Sequence, residues 1–230
     1  MTKSEKKVRP AAAGRRRKPV RLLDTPEDIR TGIRALRRIC PTLRRMHDLV
    51  GDPAPRRFPP GFAGLAQVVV GQQLSAASAR AIWGRVALAV DPFDAETLLA
   101  VDVAALKTAG LSQGKIRTLR ATAEAIAAGH LALDVQIPTD ELRGALLEIA
   151  GIGPWTADIY TLFCLGEADG FAAGDLALQV AAQRAFALAE RPSARELEGL
   201  AERWRPWRGV AALLMWSFYA QRDVLQTPIR

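Results

Sequence analysis

Long apolar runs are missing from this chain of 230 residues. None approaches the ~20 residues that cross a bilayer. The first residues are basic and polar, with no apolar segment behind them, so no secretory signal is expected. Cysteine is almost absent. The two present, Cys40 and Cys164, lie in apolar helical sequence and read as buried free thiols of a reducing compartment. Histidine is equally scarce. His47 and His130 are far apart and match no metal or nucleophile spacing, so both read as surface residues. There is no Gly-x-Ser-x-Gly, no Walker loop and no zinc-type spacing, which removes the commonest hydrolase, nucleotide and zinc readings. With only two Tyr and seven Phe in a 49% hydrophobic, Ala/Leu-rich chain, helix is favoured over strand. No strong period-2 segment and no internal repeat is evident.

Net charge is also missing from most of the chain. The formal net charge of +8 sits entirely in residues 1–21, which carry nine basic residues and one acid; the remainder has 23 of each sign. This Pro/Ala/Gly-rich tail is expected to be disordered. It either raises non-specific affinity for polyanions or is only a solubilising extension. Residues 22–230 form the folded part, and any grip it has on nucleic acid must come from local features.

What is there reads as helices. Asp24 or Thr25 caps a helix with Pro26 in its first turn and Ile29, Ile33, Leu36 and Ile39 on its apolar face. Pro41 starts another to about Val50, and "GDPAPRRFPPG" is a loop. Helices follow at 62–71, from a Ser75 cap through "AASARAIWGRVALAV", at 94–100, at 102–108, and from a Ser112 cap to Ala128. Thr139 or Asp140 caps a helix ending at Ala150. Pro154 opens one to Leu165, and the last three cover 175–189, 193–203 and 207–222. The fold class is all-α.

Between two of these helices stands "GIGPW". Glycines permit positive φ and close backbone approach. The turn and the first residues of the next helix leave N–H groups pointing outward, a nest for a phosphate oxygen that needs no Lys or Arg. Its carbonyls could hold a monovalent cation. Such turns are also often only structural. Asp175, 22 residues past Gly153, precedes an apolar helix. An N-cap is the common fate of such an Asp. The same geometry also presents an oriented carboxylate, which a reaction with a cationic sugar transition state requires.

The blocks "VVVGQQLSAASARAIWGR", "LLEIAGIGPWTADIYTLF…ADGFAAGDLAL" and "WRPWRGVAALLMW" together resemble the helix–hairpin–helix DNA glycosylase superfamily over roughly residues 24–225. The nearest likeness is to the 3-methyladenine DNA glycosylase II family. The resemblance implies a two-lobed all-α fold, one lobe from the middle of the chain and the other from its two ends, with a cleft between. It implies excision of alkylated bases such as 3-methyladenine from double-stranded DNA, in base excision repair, by base flipping and hydrolysis of the N-glycosidic bond. It implies a monomer of the bacterial cytoplasm or nucleoid. Asp175 falls on the family's catalytic aspartate, Trp155 and Trp216 on aromatics of its base pocket. Gly151, Gly153 and Thr156 fall in its DNA-binding hairpin. No cofactor is implied beyond Na+ or K+ on the hairpin carbonyls of Leu147, Ile149 and Ile152.

There are departures. Too little sequence precedes "GQQLS" for the N-terminal β-domain of larger members, which suggests the compact form. The four cysteines of an iron–sulfur relative are lacking. Bifunctional members place a lysine in the hairpin where this chain has Pro154-Trp155. Beyond the tail only Lys107 and Lys115 are lysines, so a monofunctional enzyme without lyase chemistry is expected. Ser217 stands where one further pocket aromatic is found.

The flipped base needs a replacement in the stack. Leu74 is the apolar candidate and Gln73 occupies the family's intercalating position; core packing for Leu74, and capping or surface polarity for Gln72 and Gln73, are the plain alternatives. Trp155 and Trp216 can offer faces to a cationic base, with Tyr160 nearby or in the core. Trp83, Trp204 and Trp207 read as core, and Asp158 as structural. Ser112, Gly114 and Lys115 suit a backbone phosphate, or equally a helix cap with a solvated lysine. Two further readings stay open: a non-catalytic helix–hairpin–helix DNA-binding protein, and a glycosylase for deaminated or oxidised bases.

Overall fold

The computed structural model describes residues 21–133 and 137–221. The basic tail therefore lies outside the described residues, except Arg21. That residue belongs to the folded body: its carbonyl accepts from Ala168 N–H at 2.8 Å and its guanidinium lies 5.0 Å from the centre of the Trp207 ring.

The helices are α1 (Pro26–Ile39), α2 (Pro41–Val50), α3 (Phe62–Gly71), α4 (Ala76–Ala89), α5 (Ala95–Ala100) and α6 (Val103–Thr108). They continue with α7 (Gln113–Ala127), α8 (Thr139–Leu147), α9 (Pro154–Tyr160), α10 (Leu176–Ala185), α11 (Ala194–Ala201) and α12 (Arg208–Ala220). One π turn, Thr161–Leu165, extends α9, and one 3-10 turn, Glu202–Trp204, extends α11. There is no strand among the described residues, only an isolated antiparallel bridge between Leu22 and Glu167.

Local chemistry sets most helix starts. Thr25 and Asp28 form a reciprocal capping box at α1, which selects Thr25 over Asp24. Ser75, Ser112 and Asp175 cap α4, α7 and α10 with side-chain oxygens that accept orphan N–H groups. At α8 the expected Thr139 or Asp140 cap is replaced by Pro138, which makes no side-chain cap. Asp140 and Glu141 in its first turn favour the helix dipole instead. The helix expected to reach Ala150 stops at Leu147, because the chain must turn through Gly151 at φ 89°. Helix α10 ends at Ala185 rather than Ala189, where Ala187 takes φ 50°. Ile39, assigned to the apolar face of α1, is 51% exposed.

Two hydrophobic cores hold the chain. The larger packs α1, α2 and α8 to α12 around residues such as Leu36, Met46, Tyr160, Leu178 and Trp204. The smaller packs α3 to α7 around Val69, Val70, Val86, Leu98, Leu106 and Leu119. Each fully buried aliphatic contributes about 1.5–3 kcal/mol. Helix α3 serves both: Leu65 and Val68 face the larger core, Ala66, Val69 and Val70 the smaller. Its sequence is apolar nearly all round for that reason.

Gly151 couples the α8–α9 hairpin to α7. A Cβ there would fall on Thr118 Oγ1, and φ is 89°. Gly153 has φ −97° and nothing within 4 Å of its Cβ position. Gly151→Ala is therefore expected to destabilise by about 2–4 kcal/mol, combining steric overpacking with a left-handed backbone. Gly153→Ala is expected to stay within about 0.5 kcal/mol of wild type in urea unfolding.

Glu167 is half-buried beside Asp140 and Asp169. Burial first, then the two like charges, push its carboxyl up to about 7. The folded protein thus keeps this proton where the unfolded chain loses it, so the contribution is full below pH ~4.5 and is lost as pH rises towards 7. Unfolding at pH 5 and pH 7 should show Glu167→Gln removing a pH dependence on the order of 1–2 kcal/mol, once the solvent reaching this group is allowed for.

Candidate active site

Asp175 is the cap of α10, and its carboxylate also joins two other elements. Oδ1 accepts from the Ala177 and Leu178 backbone N–H groups at 3.0 and 3.1 Å. It also accepts the Trp216 indole N–H from α12 at 3.0 Å. Oδ2 accepts the Trp155 indole N–H, from the first turn of α9, at 2.8 Å. All four partners are donors, the pattern that an acceptor-only ionised carboxylate satisfies. Both readings of Asp175, cap and oriented carboxylate, describe the same group.

The carboxylate opens into a cavity of about 450 Å³. Trp155, Trp216 and Phe163 line it, as do Leu74, Arg80 and Trp83, from α4 and the loop before it. Phe163 and Trp216 stand 5.5 Å apart, centre to centre. One expectation is corrected here. Tyr160 is fully buried and its hydroxyl accepts the Gly61 N–H at 3.0 Å, so it is core and not pocket. Trp83 packs against the smaller core, as expected, stacking on Phe93 at 4.7 Å, and it also lines the cavity.

Arg56 was not singled out from the sequence. Its guanidinium lies 4.6 Å from the Phe163 ring centre and 5.4 Å from Phe58. Desolvation lowers its pKa, and the Asp175 charge opposes that shift. The only sequence signal was a cation beside an aromatic, "RRF", in a proline-rich loop. Phe163 was hidden in an apolar helical run.

A larger cavity of about 920 Å³ also touches Trp155, but it is lined by ion pairs. Asp158 takes Arg143 at 2.7 Å, and Arg208 takes Asp169 at 2.9 Å. Burial raises the Asp158 carboxyl and Arg143 opposes the rise. Asp158 is paired there, as expected of a structural residue, and Asp175 lies outside the lining.

Beside the smaller cavity runs the segment Gln72–Ser75. Gln73 adopts φ 56° and is exposed, and Leu74 is 39% exposed at the cavity edge. Gln72 turns inward and donates to Thr156 Oγ1 at 2.8 Å. Thr156 is 2% exposed, so its expected place on a DNA-facing surface is corrected: it anchors the loop. Lys115 is only partly exposed and turns inward. Its ammonium donates to the carbonyls of Val70 and Gln72 at 2.7 and 2.9 Å, and burial lowers its pKa. Ser112 is the cap of α7, accepting from Lys115 N–H at 3.4 Å.

Gly151 and Gly153 are exposed on the hairpin, while Ile152 is buried between them. Among the carbonyls assigned to a cation, that of Ile149 accepts the Ile152 N–H at 3.0 Å and those of Leu147 and Ile152 border the same turn.

Residues 66–206, spanning both cores, the hairpin and Asp175, match the family described as HhH-GPD superfamily base excision DNA repair protein. The chain belongs to this superfamily. It is 29% identical to the alkylbase DNA glycosidase-like protein mag2 of Schizosaccharomyces pombe, covering 72% of this chain and 80% of that one. It is 39% identical over 101 residues to the probable bifunctional transcriptional activator/DNA repair enzyme AlkA of Mycobacterium tuberculosis. There the match covers 44% of this chain and only 20% of the relative. Among solved structures it is similar to S. pombe 3-methyladenine DNA glycosylase Mag1 in complex with abasic DNA. That likeness has a TM-score of 0.77 at 25% identity, over 84% of this chain and 98% of that one. It is also similar to a DNA-3-methyladenine glycosidase from Bacillus halodurans, with a TM-score of 0.69 at 29% identity, over 87% and 92%.

The Lys115 contacts generate a prediction. Lys115→Met leaves two carbonyls without their charged donor and should cost about 1.5–3 kcal/mol. Amide hydrogen exchange should rise first at Gln72–Ser75, ahead of the rest of α3, if the ammonium holds that loop.

Proposed function

We propose that the protein is a monofunctional DNA glycosylase that removes alkylated bases such as 3-methyladenine from double-stranded DNA, in base excision repair. The observation that carries this reading is Asp175: a carboxylate fixed by four N–H donors at an aromatic cavity that the exposed Leu74 also lines. The names of its relatives, mag2 an alkylbase DNA glycosidase-like protein and Mag1 a 3-methyladenine DNA glycosylase, lend it support.

The chemistry follows from what the bond needs. A base inside a duplex must leave the stack, at a cost of a few kcal/mol. Leu74 fills the vacated space and Gln73, beside it, faces the strand. Exposed hairpin N–H groups at Gly151 and Gly153 take a phosphate oxygen. A monovalent cation fits the same place, since carbonyl oxygens with a second lone pair are suitable hard ligands there. The base enters between Trp155, Trp216 and Phe163. An N-alkylated purine is already a good leaving group, so the sugar carries the developing charge. Asp175 stabilises that charge and orients the attacking water. Lys115 is engaged with backbone carbonyls, so hydrolysis rather than Schiff-base chemistry is assigned. A monomer acting in the cytoplasm is part of the same proposal.

Removing one pre-organised electrostatic group costs on the order of 10²–10³ in rate. Asp175→Asn is expected to lose at least that factor in single-turnover release of 3-methyladenine from methylated duplex, with DNA binding retained. The wild-type product strand should stay intact until alkali is added. Undiminished release by the variant would remove Asp175 from the mechanism.

A further inference from the structure

We propose that Arg80 is a positioning residue of the cavity, which binds one of the two phosphates flanking the flipped nucleotide. This rests on the reading of the cavity as the place of that nucleotide, which it deepens. Ala76, Ala79, Arg80 and Trp83 of α4 all line the cavity. Spaced three, four and seven residues from Ala76, they make up one face of the helix. A long side chain on a helix leans over the turn that precedes it. That rule aims Arg80 over Ala76, towards the end of α4 that Leu74 precedes, and Ala76 puts no more than a methyl group in the way.

The charge of Asp175 calls for such a group. The sugar of a flipped nucleotide carries a phosphate at its 3′ and at its 5′ oxygen. Bringing that sugar to Asp175 brings both anions towards a fixed negative charge, which opposes entry. Two cations line the cavity among the described residues, Arg56 and Arg80. Arg56 lies against the rings of Phe58 and Phe163, within reach of the Asp175 charge. Arg80 is exposed, and among the described residues it has no ion pair, hydrogen bond or ring contact. Its planar fork is free to meet a phosphate with two parallel N–H···O bonds. Gly151 and Gly153 lie outside the cavity lining, so the hairpin contact and the Arg80 contact fall on different phosphates. A bare arginine beside a pocket for a cationic base would repel that base. The nucleotide brings the anion that neutralises it.

The probe is a duplex with a tetrahydrofuran abasic analogue in place of the lesion, its affinity read by fluorescence anisotropy for wild type, Arg80→Gln and Arg80→Lys. One bound phosphate contributes about 0.9 to the slope of log K against log salt. The slope should become shallower by about that amount in Arg80→Gln and stay near wild type in Arg80→Lys. Each phosphate of the lesion strand is then replaced in turn by a neutral methylphosphonate. Wild type should lose affinity about tenfold at one of the two phosphates flanking the analogue. Arg80→Gln should lose nothing further there and keep the wild-type losses elsewhere. An unchanged slope, or losses in Arg80→Gln equal to those of wild type at both flanking phosphates, would overturn the proposal. So would a defect of Arg80→Gln that follows the base opposite the analogue and not the phosphate, or failure of wild type to bind the duplex. Single-turnover release of 3-methyladenine by wild type is measured alongside. The phosphate effect in a protein that releases no base would sink the glycosylase reading and leave the role of Arg80 standing. Release without the phosphate effect would do the reverse.

Discussion

One carboxylate organises the centre of this molecule. Asp175 ends the loop before α10, and through its two oxygens it receives the backbone of that helix, an indole from α9 and an indole from α12. Three elements of the larger core are thus indexed to one group. The arrangement has a chemical consequence: both tryptophans that line the cavity are held to it by their indole N–H groups. Residue roles that look separable in a sequence, a cap, an oriented carboxylate and two aromatic walls, are one hydrogen-bonded unit here. Substituting any member disturbs the others.

A second constraint joins the two cores. The end of α3 is held by the Lys115 ammonium from α7 and, through Gln72, by Thr156 of α9. Gly151 meets Thr118 of α7 at close range. The loop that carries Gln73 and Leu74 and the hairpin that carries Gly151 and Gly153 are therefore tied to the same two helices. On the proposed function, the wedge and the strand clasp keep a set spacing without any contribution from net charge, which the folded part lacks.

Much of this was legible beforehand. Helix caps such as Ser75, Ser112 and Asp175 announce themselves because a short side chain reaches its own backbone. The hairpin was visible because Gly-Ile-Gly-Pro encodes a turn and a helix start within four residues. The site-residue readings that failed involve partners distant in the chain, whereas the misplaced helix ends are local. Tyr160 went to the core, where the N–H of Gly61, 99 residues away, donates to its hydroxyl. Thr156 and Lys115 turned inward to meet the end of α3. Arg56 and Trp83 reached the cavity because loop and helix from opposite sides converge there, and no local pattern records that.

The sequence by itself determined the existence of the helices, most of their caps, the turn and the neutrality of the folded part. Each of these depends on residues within about a turn of one another or on simple counting. Only the tertiary structure decided which side chains share the cavity, which donors face Asp175 and where the scarce cations go. Those outcomes depend on how apolar faces stack, and stacking brings together groups that are unrelated along the chain.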